Sequence, residues 1–289
     1  MATPGQWISG ARPRTLPAAL APVLVGTGAA VGLGADRPGR AVTALVVSLA
    51  LQVGVNYAND YSDGIRGTDA ERVGPFRLTG SGAAEPAAVK RAAFTCFGAA
   101  AVTGLGLVAV SGTWWLLLVG AAAILAAWYY TGGKRPYGYS GLGEVFVFVF
   151  FGLVAVLGTT YTQALRLSPP AVAGAVAVGL LACAILVANN LRDVPTDAVA
   201  GKLTLAVRIG AAATRRLYAA LVTLPLIAAV AVAPWHPWAL LALGSAPAAV
   251  PPLRAVLGGA GGRDLLPVLR DTGRLELVYA VLLGIGLAL

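Results

Sequence analysis

The sequence has very little charge for its length. Only 11% of its 289 residues are Asp, Glu, Lys or Arg, whereas 58% are hydrophobic. Soluble globular domains carry about 25% charged residues, so this chain has too few of them to cover a water-soluble body of its size. The composition excludes a soluble domain and predicts an integral membrane protein.

Cysteine and histidine are also scarce. The two cysteines, Cys96 and Cys183, both lie inside long apolar runs. A structural disulfide, or a zinc site built from cysteine and histidine, is therefore not expected. The only histidine, His236, lies in a Pro-Trp-His-Pro turn between two apolar runs. We expect it in an interfacial loop and not in an active site.

Long apolar runs are what the sequence has in abundance. Nine of them approach the roughly 18–20 residues that cross a bilayer as a helix. They are apolar on all sides, whereas membrane β-strands alternate apolar and polar residues. We predict an all-α integral membrane protein, a single domain over residues 1–289, with a bundle of about nine transmembrane helices. The predicted spans are about 15–34, 41–59, 91–110, 113–131, 144–161, 170–189, 216–233, 236–253 and 273–289.

The basic residues predict the orientation of the chain in the membrane. All Lys and Arg residues except Arg37, Arg40 and Arg166 fall in the N-terminal segment, in alternate connections between the predicted spans, or at the span ends that adjoin those connections. The positive-inside rule places these connections and the N-terminus in the cytoplasm, and the C-terminus on the opposite side. The net charge of +9 mainly reflects this topology and contact with anionic lipid headgroups, so we expect no nucleic-acid partner. The cytoplasmic connections are about 60–90, 132–143, 190–215 and 254–272.

Two groups of aspartate and asparagine residues stand at the predicted cytoplasmic ends of the second and sixth spans. Members that are four, seven or eight residues apart share one face of a helix. The Gly64–Gly67 turn lets Asp69 fold back toward the other members of the first group. The first group is Asn56, Asp60, Asp63 and Asp69, and the second is Asn189, Asp193 and Asp197.

These groups predict a site for a hard cation. The C-terminal end of a helix carries a partial negative charge, so several carboxylates gathered there need a compensating cation. Ligands that offer only oxygen select Mg²⁺, with Mn²⁺ as an alternative. Mg²⁺ usually takes one or two carboxylates and completes its shell with water and phosphate. If the two groups face each other, they therefore predict a binding site for Mg²⁺ ions around a diphosphate. Solvated polar turns, or a calcium loop without the EF-hand spacing, are the alternatives.

Basic and aromatic residues accompany the acidic groups. Each basic residue could bind diphosphate or anchor the chain at the membrane surface, and Lys134 is the strongest diphosphate candidate, as a point charge. Glu144 could contact an acceptor molecule or lie at the membrane interface. The other predicted diphosphate ligands are Arg66, Arg135, Arg192 and Lys202, and Arg72 and Arg77 lie in the same first connection.

Four stretches resemble the UbiA superfamily of intramembrane aromatic prenyltransferases, and within it the branch that acts on 1,4-dihydroxy-2-naphthoate. They are ARPRTLPAALAPVLVG (11–26), NYANDYSDGIRGTDAERVGP (56–75), YYTGGKRPYGYSGLGE (129–144) and NNLRDVPTDAVAGKLTLAVRIG (189–210). The resemblance implies Mg²⁺-dependent transfer of a polyprenyl group from polyprenyl diphosphate to 1,4-dihydroxy-2-naphthoate. CO₂ and diphosphate would leave, and the product would be a demethylmenaquinol of menaquinone biosynthesis.

The same resemblance implies residue roles and a location. Asp60, Asp63, Asp193 and Lys134 would be catalytic, and both polar groups would hold the metal and the diphosphate. Tyr130, Tyr137 and Tyr139 would stabilise an allylic cation through their ring faces, or would serve only in packing. The enzyme would lie in the bacterial inner (plasma) membrane with its active site facing the cytoplasm.

Two other functions remain open. A relative could use another acceptor, such as 4-hydroxybenzoate or a glycerophosphate, with the same metal site. A transporter for a divalent ion or an anion would place ionisable groups near the bilayer midplane. The predicted spans have no ionisable group near the bilayer midplane, and the two acidic groups lie at the cytoplasmic ends of their spans. This arrangement favours the enzyme.

Overall fold

The structure, a computed structural model, describes residues 2–67 and 76–289 and contains helices but no strand in those ranges. The prediction of an all-α protein is confirmed. The helices are α1 (Pro4–Ala11), α2 (Pro17–Gly32), α3 (Pro38–Arg66), α4 (Pro86–Ser111), α5 (Leu116–Tyr129), α6 (Gly143–Val147), α7 (Ala155–Ala164), α8 (Pro169–Val199), α9 (Leu205–Val232), α10 (Ala246–Leu257) and α11 (Leu265–Ala288).

Proline and glycine mark many of the helix boundaries. The helices α1, α2, α3, α4 and α8 all begin with a proline, a residue that fits the first helical position because the N–H it lacks would have no partner there. α3 and α4 end at Gly67 and Gly112, whose φ angles of 73° and 72° are left-handed. Glycine adopts this conformation without steric cost. A π-helical segment, Phe148–Val154, joins α6 to α7.

In the part of the chain that the structure describes, six helical segments are long and apolar enough to cross a membrane, and a seventh is added if the bent unit of Pro4–Thr15 and Pro17–Gly32 counts as one span. The six are Pro38–Arg66, Pro86–Ser111, Gly143–Ala164, Pro169–Val199, Leu205–Val232 and Pro237–Leu257. Helix α5 has only 14 residues, and α11 carries Arg270, Asp271, Arg274 and Glu276. The protein is thus a multi-pass helical bundle, whereas the count of nine spans and the orientation of the termini stay predictions.

The structure changes the boundaries of two predicted connections. Helix α3 continues to Arg66, and α8 continues through Pro195 to Val199, only six residues before α9 begins at Leu205. Much of 60–90 and 190–215 is therefore helical. Hydropathy detects only the apolar part of a helix, while the polar last turns keep the same backbone hydrogen bonds. Both polar groups consequently lie on helix faces.

Small residues allow close contact between the central helices. A Cβ atom added at Gly28 on α2 would lie 2.0 Å from the carbonyl oxygen of Gly284 on α11. The two backbones therefore touch, as small residues permit in membrane bundles. The main core joins α2, α8, α9 and α11, and a second cluster of Tyr57, Leu78, Val89 and Phe97 joins α3 to α4. A cavity lies between α3, α4, α5, α7 and α8.

Candidate active site

The cavity has a volume of about 920 Å³, with a polar end and a long apolar remainder. The lining residues on α3 extend from Ala44 to Asp63, about 28 Å along the helix at 1.5 Å per residue. This length approaches the roughly 30 Å of a bilayer core. The polar end is lined by Asn59, Asp63, Arg77, Asn189, Arg192, Asp193, Asp197 and Lys202. The last turns of α3 and α8 therefore meet at one end of a largely apolar channel.

Asp63 is the carboxylate of α3 that lines the polar end of the cavity. It is 2% exposed, and the hydroxyl group of Tyr139 donates a hydrogen bond to its Oδ1 at 2.7 Å. Its Oδ2 lies 3.4 Å from Arg77 Nη2 and 3.7 Å from Lys202 Nζ. Two cations and a phenol thus compensate the charge of this buried carboxylate.

On the α8 side, Arg192 forms hydrogen bonds with the side chains of Asn189 and Asp193. Its Nε and Nη2 atoms donate to the two carboxylate oxygens of Asp193, both at 2.7 Å. Nη2 also donates to Asn189 Oδ1 at 2.8 Å. A guanidinium group that donates two bonds to one carboxylate fixes its orientation as well as its charge.

Lys202 connects the two sides. Its Nζ atom lies 3.7 Å from Asp63 Oδ2 and 3.9 Å from Asp197 Oδ1. The same nitrogen lies 4.8 Å from the centre of the Tyr139 ring, a distance typical of a cation–π contact. One ammonium group therefore lies between a carboxylate of α3 and a carboxylate of α8.

The structure places Asp60 away from the cavity lining. Asp60 is fully buried, and the backbone N–H groups of Leu78 and Thr79 each donate to one of its carboxylate oxygens at 2.8 Å. Three residues along a helix correspond to a rotation of about 300°, so Asp60 lies about 60° around α3 from Asp63. It anchors the chain after residue 75, and its predicted metal contact stays a prediction.

Asn56 lies on the cavity but is held by the N-terminal segment. Its Nδ2 atom donates to the Ala11 carbonyl oxygen and to Thr15 Oγ1, both at 2.9 Å. These bonds commit the amide nitrogen to the segment before α2. The predicted site residue Asp69 lies outside the described residues.

Asn59 is a cavity residue that the sequence analysis missed. It precedes Asp63 by four residues, so the two are about 40° apart around α3. Thr131 Oγ1 donates to Asn59 Oδ1 at 2.8 Å. The Asn59–Asp63 spacing repeats the spacing of Asn189 and Asp193, and this signal could have identified it.

Three predicted diphosphate ligands lie outside the cavity. Lys134 and Arg135 are exposed and do not line it. Arg66 is also exposed, donates to the carbonyl oxygens of Thr131 and Gly133, and covers the Tyr139 ring. Among the described basic residues, Arg77, Arg192 and Lys202 line the polar end, and Arg12 and Arg14 also line the cavity. Gly133, with a left-handed φ of 76°, turns the connection before Lys134.

The predicted aromatic residues do line the cavity. Tyr137 stacks on Phe146 with ring centres 3.9 Å apart, and Tyr130 meets Tyr137 edge-on at 5.5 Å. Burial raises the pKa of the Tyr137 hydroxyl group, so it remains neutral at physiological pH. Glu144 itself does not line the cavity, but its Oε1 accepts a bond at 3.0 Å from Asn190 Nδ2, and Asn190 does.

The donor atoms at the polar end fit a magnesium–diphosphate complex better than a cage built from protein alone. Within residues 2–67 and 76–289, no three His, Cys, Asp or Glu side chains converge closely enough to hold a metal ion together. The cavity instead offers separate carboxylates, with amide oxygens beside them. Mg²⁺ in proteins usually takes one or two carboxylates and fills its remaining positions with water and substrate phosphates.

Several known proteins are similar to this chain. The family model described as the UbiA prenyltransferase family matches residues 19–258. A 1,4-dihydroxy-2-naphthoate octaprenyltransferase of Mycobacterium tuberculosis is 55% identical over 100% of this chain and 98% of its own length. The Escherichia coli protein of the same name is 38% identical, over 98% of this chain and 95% of its own.

Solved structures show the same fold. A UbiA homolog from Archaeoglobus fulgidus bound to DMAPP and Mg²⁺ aligns with a TM-score of 0.65 at 14% identity, over 98% of this chain and 99% of that one. A UbiA homolog from Aeropyrum pernix aligns with a TM-score of 0.68 at 14% identity, over 93% and 96%. On the family match and the two full-length relatives, this chain belongs to the UbiA prenyltransferase family.

Proposed function

We propose that this protein transfers a polyprenyl group from polyprenyl diphosphate to 1,4-dihydroxy-2-naphthoate, with loss of CO₂ and diphosphate, to give a demethylmenaquinol. The observation that carries the proposal is one cavity with a charged end and a long apolar remainder. A prenyl diphosphate has the same division, with an anionic head and an apolar tail. The names of the full-length relatives support the naphthoate as the acceptor.

The polar end would hold the diphosphate together with Mg²⁺, for which Mn²⁺ is an alternative. Asp63, Asp193 and Asp197 would provide the carboxylates, and Asn59 and Asn189 would provide amide oxygens. Mg²⁺ neutralises the leaving diphosphate and so eases cleavage of the allylic C–O bond. The separation of these donors between α3 and α8 leaves room for the phosphates to complete the coordination.

The basic residues would exchange partners when the substrate enters. Without substrate, Arg77, Arg192 and Lys202 pair with the carboxylates. The carboxylates would then bind the metal ion, and the ammonium and guanidinium groups they release would turn to the phosphate oxygens. Guanidinium groups suit this role because their planar fork matches phosphate geometry. Tyr139 would keep Asp63 oriented during the exchange through its 2.7 Å hydrogen bond.

The aromatic wall would support the developing allylic cation. Tyr130, Tyr137 and Phe146 line the cavity near its polar end, and ring faces attract cations most strongly where water is excluded. The apolar lining beyond them keeps water from the cation. The electron-rich naphthoate ring would then attack it, and the carboxyl group would leave as CO₂.

The basic connections support an active site facing the cytoplasm of the bacterial inner membrane. Arg77, Arg192 and Lys202 belong to the connections that the positive-inside rule assigns to that side. A single domain over residues 1–289, with about nine spans, the N-terminus in the cytoplasm and the C-terminus opposite, agrees with this orientation.

The direct test supplies purified protein with radiolabelled prenyl diphosphate, Mg²⁺ and one acceptor at a time. We expect label in a product of 1,4-dihydroxy-2-naphthoate and none after chelation of the metal. Asp63→Ala and Asp193→Ala should abolish transfer with the protein level retained. Transfer to 4-hydroxybenzoate but not to the naphthoate would replace our acceptor with the second candidate.

A further inference from the structure

A small hydrogen-bonded cluster lies on the cavity wall where α3 meets the N-terminal segment. Thr15 Oγ1 lies 2.9 Å from the carbonyl oxygen of Arg12, and it also receives bonds from Gln52 Nε2 at 2.7 Å and Asn56 Nδ2 at 2.9 Å. A carbonyl oxygen can only accept, so the single hydroxyl proton of Thr15 goes to Arg12. Both amides must therefore donate to Thr15, and this fixes which way each amide group is turned.

The fixed orientation leaves the oxygen of Gln52 without a donor. Gln52 is 6% exposed and lines the cavity, and its Oε1 has no hydrogen-bond partner within the described part of the chain. A buried carbonyl oxygen without a donor destabilises the protein unless a ligand supplies one. The last torsion of a glutamine side chain is broad and Gln52 lines the cavity, so its amide group can adjust to a donor that enters there.

The position of Gln52 suits an aromatic acceptor. Gln52 precedes Asn59 by seven residues and Asp63 by eleven, which places it about 10–16 Å from the polar end along α3. It is also about 40° around the helix from Asn56 and 20° from Asp63, on the face that lines the cavity. A bicyclic ring whose reacting carbon lies beside the diphosphate end would extend toward this depth.

The chemistry of the proposed acceptor identifies the matching group. In 1,4-dihydroxy-2-naphthoate the 1-hydroxyl group is adjacent to the carboxylate and donates to it within the molecule, which leaves the 4-hydroxyl group as the free donor. Arg14 lines the same cavity, is exposed and forms no ion pair with the described residues. Its positive charge is compatible with the carboxylate of the acceptor in this cavity. We propose that Gln52 binds the acceptor by accepting a hydrogen bond from its 4-hydroxyl group, an inference that rests on the proposed function.

The first measurement compares Gln52→Leu with a matched control. Gln163 is 3% exposed, its Nε2 donates to Thr27 Oγ1 at 3.1 Å, and its Oε1 also lacks a partner in the described chain, but it does not line the cavity. Gln52→Leu should raise KM for 1,4-dihydroxy-2-naphthoate about tenfold, as expected for loss of a hydrogen bond to a substrate hydroxyl. The KM for prenyl diphosphate should change less than about twofold, and Gln163→Leu should change neither.

The second measurement uses 1-hydroxy-2-naphthoate, which lacks the 4-hydroxyl group, as a competitive inhibitor. Its Ki should be the same in the wild-type protein and Gln52→Leu, because the lost contact is one that this molecule never makes. An unchanged acceptor KM in a folded Gln52→Leu protein overturns the proposal, as does equal weakening of both molecules. Failure of the wild-type protein to prenylate the naphthoate would instead overturn the proposed function, before any variant is compared.

Discussion

Lys202 offers the sharpest test of how the two acidic groups work together. Its Nζ atom lies 3.7 Å from Asp63 Oδ2 and 3.9 Å from Asp197 Oδ1, so those oxygens are at most about 7.6 Å apart. The ammonium group thus occupies the space between the two carboxylates that the proposed function assigns to a metal–diphosphate complex. Lys202→Met removes the charge and keeps most of the side-chain volume.

The structure sets the size and the sign of the effect. Two carboxylates 7.6 Å apart repel each other by about 2 kcal/mol at an effective dielectric constant of 20. Without Lys202, a divalent cation would relieve this repulsion. Since 1.4 kcal/mol is tenfold in affinity and solvent screens part of the field, we expect Mg²⁺ to bind about tenfold more tightly to substrate-free Lys202→Met. The KM for prenyl diphosphate should rise about tenfold, because the variant lacks a cation for the phosphates.

Titration calorimetry of Mg²⁺ into the substrate-free protein, together with steady-state kinetics, measures both changes. Lys90→Met is the control, because Lys90 covers the rings of Tyr61, Phe94 and Trp128 and does not line the cavity. It removes the same charge and should leave both quantities unchanged. Weaker Mg²⁺ binding by Lys202→Met, or no change, would refute the exchange of partners at the carboxylates.

Three further predictions concern other parts of the site. Asp60→Ala should lower the free energy of unfolding by about 3 kcal/mol, because the backbone N–H groups of Leu78 and Thr79 lose a charged acceptor. Denaturation in detergent measures this change, and an unchanged stability would contradict the anchoring role of Asp60. Gly158→Leu should reduce transfer from long prenyl diphosphates at least about tenfold more than transfer from geranyl diphosphate, because the added side chain enters the cavity that Gly158 lines. Gly98→Leu, on a helix face away from that cavity, should show no such dependence on chain length. Glu144→Gln should keep kcat/KM within about twofold of the wild-type value, whereas Glu144→Leu should lower it about tenfold. Only the leucine leaves the Asn190 amide without an acceptor. Equal activity of the two variants would contradict this role of Glu144.

The sequence predicts the helices well because apolar runs and terminal prolines determine them locally. Each of the nine predicted spans overlaps a helix, and Asn189, Asp193 and Asp197 are brought to the cavity by one uninterrupted helix. The helix ends were misplaced where polar turns extend α3 and α8 beyond the apolar core. Hydropathy has no signal for such turns.

The α3 side of the site could be predicted only in part. Spacing shows that Asp60 and Asp63 are about 60° apart around the helix, but it does not show which of them faces the partner helix. That choice depends on where residues 78–79 pack, because their backbone N–H groups bind Asp60. Sequence spacing alone therefore favours Asp60 and Asp63 equally as the residue that faces α8.

The connections between helices were the least predictable part. Lys134 and Arg135 lie on the exposed side of a turn that Gly133 and Arg66 determine. Arg77 instead reaches Asp63 from 14 residues further along the chain, beyond the end of α3. Such contacts depend on tertiary packing and leave no periodic pattern in the sequence.

The central claim is that the facing ends of α3 and α8 hold the diphosphate with its metal ion. A structure of the protein with Mn²⁺ and a prenyl thiodiphosphate, located by anomalous scattering, tests it most directly. We predict metal density between Asp63 and the Asp193–Asp197 side, phosphate oxygens within reach of Lys202, and the prenyl tail in the apolar part of the cavity. Density for the metal and the diphosphate away from both helix ends would contradict the account.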